Sequence, residues 1–242
     1  MLPRAEIVAG QELIYRGRFG AAQTFFAEHA TARPYDPAPR ILEAAALIWW
    51  GEARDEEAFQ AESIVVLLDD GLVRARTAAD SATDWVGRAE ALFWLGTAYG
   101  YRGRQAELTG NYWRASRDAR AMRIVLDSAL VLDPSCIDCL LGLGLYDYAL
   151  ARASSVARLV TRLIGLGGGD ATRGLERLRR VSEEGTIART EARWVYANAL
   201  LRDAEKEPAL REEALRIIGV LSEQFPDNPV FRRAATLPAD TP

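Results

Sequence analysis

The chain has 242 residues, an apolar fraction of 49% and a formal net charge of −4. This apolar content exceeds that of disordered chains and is enough for a continuous core. Acidic and basic residues are interleaved without a long basic block, which argues against nucleic acid as a partner.

The sequence also disfavours a membrane-spanning protein. No stretch reaches the roughly 18 uncharged apolar residues that a membrane-spanning helix requires. The first residues lack the basic and then apolar pattern of a secretory signal, so the sequence leaves the compartment open between the cytoplasm and, after signal removal, the periplasm.

The spacing of apolar residues predicts an all-α chain without β-strands. The expected helices lie at roughly 3–16, 19–32, 38–53, 55–79, 84–109, 111–132, 136–151, 154–165, 170–184, 187–203 and 208–224. We expect one domain over residues 1–242, an α–α superhelix of antiparallel hairpins, with N-terminal hairpins at 1–83 and further hairpins at 84–242.

Several of these helices match the tetratricopeptide pattern, in which W-x2-L-G-x2-Y on a first helix precedes A-x3-F on a second. In chain order, the matching residues of the first helices include Gly10, Leu95, Gly96 and Tyr99, and then Leu140, Leu143 and Gly144. Those of the second helices and their stops include Ala22 and Phe26, Ala129 and Pro134, and Ala214, Ile218, Leu221 and Pro226. After the last of these stops, Asp227-Asn228-Pro229 is predicted to form a turn.

The middle hairpin departs from the standard length. Its turn, Gly110-Asn111-Tyr112, comes about two helical turns late, and the second helix is about two turns longer than usual. Because both arms lengthen together, the ends of the hairpin stay aligned, and we predict one long hairpin rather than a broken repeat.

The strings EALFWLG at 90–96, GLGLY at 142–146 and FPDNP at 225–229 resemble a group of bacterial tetratricopeptide-repeat proteins. The resemblance covers 89–233. More distantly, this region is similar to the eukaryotic tetratricopeptide family that includes outer-mitochondrial-membrane inclusion-body clearance proteins. The resemblance implies a helical-repeat adaptor that binds another protein, without known chemistry and without a cofactor.

Cys136 and Cys139, the only two cysteines, begin a helix after a proline turn. A redox pair is conceivable there, because a helix N-terminus lowers the pKa of a thiol. Two cysteines cannot complete a zinc site, and no histidine follows Cys139 as a haem attachment site requires. We therefore interpret them as two small residues packed between helices, and we predict no metal site.

The segment at 152–166 is interpreted as an inserted amphipathic helix, basic at Arg152, Arg158 and Arg162. Residues 152–164 could lie on an anionic membrane surface or cover the core. The glycine-rich stretch at 165–170 that follows lacks the strand and lysine of a phosphate loop, so we interpret it as a turn with Asp170 as helix N-cap.

The single histidine and the acidic pairs are poor catalytic candidates. His29 has no second histidine or cysteine nearby in sequence, so a partly exposed helix position is expected. Adjacent acidic residues point about 100° apart on a helix and do not converge on one substrate. Such pairs are Glu56-Glu57, Asp69-Asp70, Glu183-Glu184 and Glu212-Glu213. We therefore expect no enzymatic activity.

First helices of such repeats line a concave face, and residues four apart share that face. The expected stripe consists of Phe93, Thr97, Tyr101, Leu141, Leu145, Tyr148, Trp194, Asn198 and Arg202. Aromatic residues and arginine are typical of interface hot spots, so this stripe is the predicted docking site for a peptide or helix of a partner protein. Equally, Phe93 and Trp194 fit the core between hairpins, and the sequence leaves both interpretations open.

Overall fold

The computed structural model describes residues 1–56, 58–152 and 168–236. Within these ranges the chain is all helical and has no β-strand, which confirms the predicted class. The helices are α1 (Arg4–Tyr15), α2 (Phe19–Ala32), α3 (Pro37–Arg54), α4 (Ala61–Ser81), α5 (Trp85–Leu108), α6 (Tyr112–Leu132), α7 (Leu140–Arg152), α8 (Ala171–Glu184), α9 (Arg189–Asp203), α10 (Ala209–Gln224) and α11 (Pro229–Ala235).

The helices pack in the order in which they follow one another along the chain. Each contacts its sequence neighbour, from α1 against α2 through to α10 against α11. The odd-numbered helices also touch one another, since α3 contacts both α1 and α5, and α5 contacts α7. No helix of the described ranges is both long and apolar enough to cross a membrane.

The long central hairpin is formed by α5, with 24 residues, and α6, with 21. Gly110 makes the turn with a positive φ of 74°, a conformation that glycine adopts without steric cost. The Asn111 side chain then accepts a hydrogen bond of 3.1 Å from the Arg114 backbone N–H and caps α6. The predicted lengthening of both arms is confirmed.

Two predicted helix starts are wrong. The helix expected from residue 55 begins only at Ala61, because Asp55 and Gln60 both have positive φ, which a continuous helix does not allow. The helix expected from residue 136 begins with a 3-10 turn over Ile137–Cys139 and becomes α-helical at Leu140.

The last helix, α11, is absent from the sequence prediction, which ended with the turn at Asn228-Pro229. The Asn228 side chain accepts a hydrogen bond from the Val230 N–H at 2.9 Å, and Pro229 occupies the first helical turn. Asparagine as N-cap before proline is a helix-start signal. The residues that mark the turn therefore also start a helix.

Helix α11 lies against the beginning of the chain. The Asn228 side-chain amide donates to the Tyr15 carbonyl at 3.0 Å. The Arg233 guanidinium donates to the carbonyls of Ala53 and Glu52 at 2.7 and 2.6 Å, and so satisfies the C-terminal end of α3. The end of the described chain is thus joined to α1 and α3.

Candidate functional site

The nine residues of the predicted stripe do not form one exposed surface. Phe93 and Tyr148 are buried, whereas Thr97, Tyr101, Leu141 and Trp194 are partly buried. Leu145, Asn198 and Arg202 are exposed. Whether any of the nine binds a partner stays a prediction, but only the last three are freely accessible in this conformation.

Tyr101 and Trp194 each contact side chains that are distant in sequence. The Tyr101 hydroxyl donates to the Glu191 carboxylate at 2.6 Å, which links α5 to the first turn of α9. Trp194, one turn further along α9, has its ring centroid 6.4 Å from that of Trp49 on α3 and 5.6 Å from that of Phe231 on α11. We call these five residues the inner cluster. Their mutual contacts occupy the face that the sequence assigned to a partner.

Tyr148 has a different role, because it fixes α7 to α9. Its hydroxyl lies 3.0 Å from the Ala199 carbonyl and 3.1 Å from an Asp203 carboxylate oxygen, and Arg152 forms a bidentate pair with the same carboxylate. The exposed Asn198 and Arg202 directly precede Ala199 and Asp203 on α9. Leu145, 37% exposed, lies one turn before Tyr148 on α7. We call Leu145, Asn198 and Arg202 the exposed rim.

The remaining three residues of the stripe are held within the fold. The ring of Phe93 packs edge-on against that of Trp94, with centroids 5.0 Å apart. The Thr97 hydroxyl donates to the Phe93 carbonyl at 2.9 Å, within the same helix. Leu141 packs on a small apolar cluster that contains Val181. Phe93, Thr97 and Leu141 are therefore not part of the exposed rim.

The Glu191 carboxyl of the inner cluster has a raised pKa. Burial raises its pKa above the ordinary glutamate value, and this effect outweighs the hydrogen bond from Tyr101 and the attraction of Arg104, which both lower it. Burial and the nearby Glu191 carboxylate in turn raise the pKa of Tyr101 well above the ordinary tyrosine value. The phenol therefore stays protonated and acts as a hydrogen-bond donor.

We expect the substitution Glu191→Gln to stabilise the protein at neutral and alkaline pH. Because the folded-state pKa of Glu191 is raised, folding favours its protonated form. The stability that this group contributes is present below the unfolded carboxyl pKa and is lost as the pH rises through the folded pKa. Urea unfolding from pH 4 to 8 should show the variant ahead of wild type at pH 8 and the gap closing at pH 4. An advantage that does not change with pH would contradict this assignment.

The structure joins Cys136 and Cys139 in a disulfide, with Cα atoms 5.4 Å apart. The interpretation as two merely packed small residues is therefore wrong, although Cys139 is fully buried. Between them, Asp138 accepts backbone hydrogen bonds at 2.9–3.1 Å from Thr186, Ile187 and Ala188, which precede α9. The closed loop thus presents the carboxylate that organises the α8–α9 turn.

A surface cleft of about 190 Å³ between α6, α7 and α8 was not predicted. At its base the buried Asp147 accepts hydrogen bonds of 2.6–2.8 Å from Arg173 and Arg177. Arg123 and Asp127 also line it. Because the arginine donors already face carboxylates, we assign the cluster to holding α7 on α8 rather than to ligand binding.

Of the remaining candidates from the sequence, the structure describes His29, Asp170 and the residues that could bind a metal. His29 is partly exposed, as expected, and its Nδ1 lies 2.8 Å from the Arg33 guanidinium. The Asp170 carboxylate caps α8 by accepting from the Arg173 N–H at 3.0 Å, which confirms the predicted N-cap. Among the described residues, no group of three or more acidic, histidine or cysteine side chains could hold a metal ion.

The acidic pair Asp69-Asp70 does more than cover a solvated face. Asp69 pairs with Arg102 at 2.6 Å, and Asp70 pairs with Arg40 at 3.1 Å, in both cases from another helix. Of the proposed membrane helix at 152–164, only Arg152 lies within the described residues, where it pairs with Asp203. The stretch at 165–167 also lies outside them.

Comparison with known proteins does not assign the chain to a family. No protein-family model matches the chain, and the search of curated proteins finds no match. The resemblance to tetratricopeptide proteins therefore rests on the residues themselves.

Proposed function

We propose that this chain is a tetratricopeptide-like helical-repeat scaffold without enzymatic activity, which binds another protein. The observation that carries the proposal is a close approach that recurs between helices at glycines of the repeat pattern. A β-carbon at Gly96 would lie 2.5 Å from Leu126 on α6, and one at Gly144 would lie 3.0 Å from the Gly174 carbonyl on α8. One at Gly10 would overlap Phe26 on α2.

In each of these hairpins the glycine lies on an odd-numbered helix and faces the helix that follows. This is the position at which the tetratricopeptide pattern places a small residue, because the two backbones approach closely there. The recurrence in three hairpins supports a repeat architecture. Repeats of this kind present extended surfaces for protein binding, so a binding function agrees best with this arrangement.

The exposed rim is the part of the predicted stripe that we propose for docking. It combines an accessible leucine with an amide and a guanidinium, the apolar and polar pairing that binding surfaces require. The neighbouring Tyr148, fixed by Asp203, gives the rim a rigid base.

Affinity capture from an extract of the source organism tests this proposal. The double variant Leu145→Glu/Asn198→Glu places two carboxylates on the rim and should lose the chains that wild type recovers. The matched control, Thr24→Glu/Thr31→Glu, adds the same charge to exposed positions of α2. Equal recovery of the same chains by wild type and both variants would exclude the rim as the docking site.

A further inference from the structure

Helix α6 exposes large apolar side chains on its outer face. Trp113 is 72% exposed, Ile124 54% and Val131 81%. Ile124 and Val131 follow Trp113 by eleven and eighteen residues, spacings that return to nearly the same side of an α-helix. The three side chains therefore form one straight apolar stripe about 27 Å long, at 1.5 Å per residue.

Charged residues lie on the same stripe. Arg117 and Arg120, both exposed, fall between Trp113 and Ile124. Neither arginine has a hydrogen-bonding or ion-pairing partner in the part of the chain that the structure describes. Asp127 lies between Ile124 and Val131 and pairs with Arg123 at 3.6 Å, with both side chains about half exposed. Such an exposed ion pair within one helix contributes little to stability, so Asp127 can pair with an arginine of another chain instead.

The outer faces of two other helices differ in character. That of α8 carries internal ion pairs, in which Arg179 binds Glu176 and Glu183 at 2.8 and 2.9 Å. That of α2 presents small polar residues such as Thr24 and Thr31. Neither α2 nor α8 exposes a large apolar side chain as α6 does.

The stripe is complementary to itself when two copies of α6 are laid antiparallel. Centred on Met122, such a pair places Trp113 opposite Val131 of the second copy. It also places Arg117 opposite Asp127 and the aliphatic stem of Arg120 over Ile124. Every contact occurs twice, as a two-fold interface requires. We propose that the chain forms a two-fold dimer through the outer face of α6, with a second copy of itself as the occupant.

Helix α4 widens this surface. Its Val66 and Val73 are 67% and 66% exposed and lie seven residues apart, on one side of the helix. Asp69, between them, pairs with Arg114 of α6 at 3.3 Å, so an ion pair connects the two helices next to the stripe. The two valines therefore add exposed apolar area beside the stripe of α6.

The oligomeric state of the whole chain tests the dimer. Sedimentation velocity over micromolar to submillimolar concentration should show a mass rising from 26.7 kDa towards twice that value. Trp113→Ala should weaken association at least about tenfold, as expected for a large aromatic side chain that an interface buries. The control Trp85→Ala removes a tryptophan that is 59% exposed elsewhere and should leave association unchanged.

Charge exchange tests the antiparallel register. Arg117→Asp alone should weaken the dimer, because it places two carboxylates opposite each other, and Asp127→Arg alone should weaken it with two arginines. The double variant restores opposite charges and should recover association. Circular dichroism would verify that each variant keeps its helices. A wild-type chain that stays monomeric throughout, or a double variant no better than either single one, would overturn the proposal. Neither outcome concerns the exposed rim.

Discussion

Asp118→Ala should be among the most destabilising single substitutions in this protein. Asp118 is 1% exposed and accepts two hydrogen bonds of 2.7 Å from Arg102, which is itself largely buried. Burial lowers the pKa of Arg102, but its hydrogen bonds to Asp118 and Asp69 outweigh this and raise it. Loss of the Asp118 carboxylate leaves the largely buried Arg102 guanidinium with the partly exposed Asp69 as its ion-pair partner. This loss should lower the free energy of unfolding by about 3–5 kcal/mol.

Urea unfolding at pH 7 measures this effect, and two further variants define its origin. Glu183→Ala also removes a carboxylate that binds an arginine, but on an exposed face, and its unfolding midpoint should stay close to that of wild type. The double variant Arg102→Met/Asp118→Leu replaces the pair by apolar groups and should recover much of the loss. A single variant as stable as wild type would show that the pair does not hold α5 to α6.

Phe231→Ala should have an effect of similar size. The Phe231 side chain is fully buried, and its ring centroid lies 5.6 Å from those of Trp49 and Trp194 and 5.9 Å from that of Phe225. Truncation of a buried phenylalanine typically costs about 3–5 kcal/mol, because it removes apolar burial and leaves a cavity.

The loss should appear both in chemical unfolding and in tryptophan fluorescence, since two of the neighbouring rings are indoles. Amide hydrogen exchange should also quicken in α1, whose Tyr15 carbonyl binds Asn228. Tyr35→Ala, which truncates an aromatic side chain that is 85% exposed, serves as the control and should leave all three measurements unchanged. A loss below about 1 kcal/mol would mean that α11 is not docked on the inner cluster.

Much of the helical framework could be predicted because its signals are local. Asp170 before α8 was predicted as an N-cap and accepts the expected backbone hydrogen bond, and Asp84, the same residue type before α5, accepts one in the same way. The start of α4 was misplaced because the preceding residues are polar and helix-compatible in composition. The positive φ of Asp55 and Gln60 separates α3 from α4. Neither position is a glycine, the residue that would signal a positive φ in the sequence.

The candidate site was harder to predict, because periodicity identifies a face but not what lies opposite it. Trp194 shares a face with Asn198, yet α3 and α11 cover the tryptophan and leave the asparagine exposed. Tyr148 binds Asp203, 55 residues away, and no local pattern announces such a pair. The exposed stripe of α6 was within reach, since Trp113, Ile124 and Val131 repeat with helical spacing outside the tetratricopeptide positions.

The return of α11 to the first helices changes how the chain should lose its structure. In an open row of repeats every contact is local, so end units can fray one at a time while the middle stays folded. Here Asn228 and Tyr15, 213 residues apart, bond directly, and Arg233 reaches α3. Both α1 and α11 are therefore tied to other helices, so the described helices should melt as a single cooperative unit, and the joining of α1 and α11 should be a late, slow event in folding.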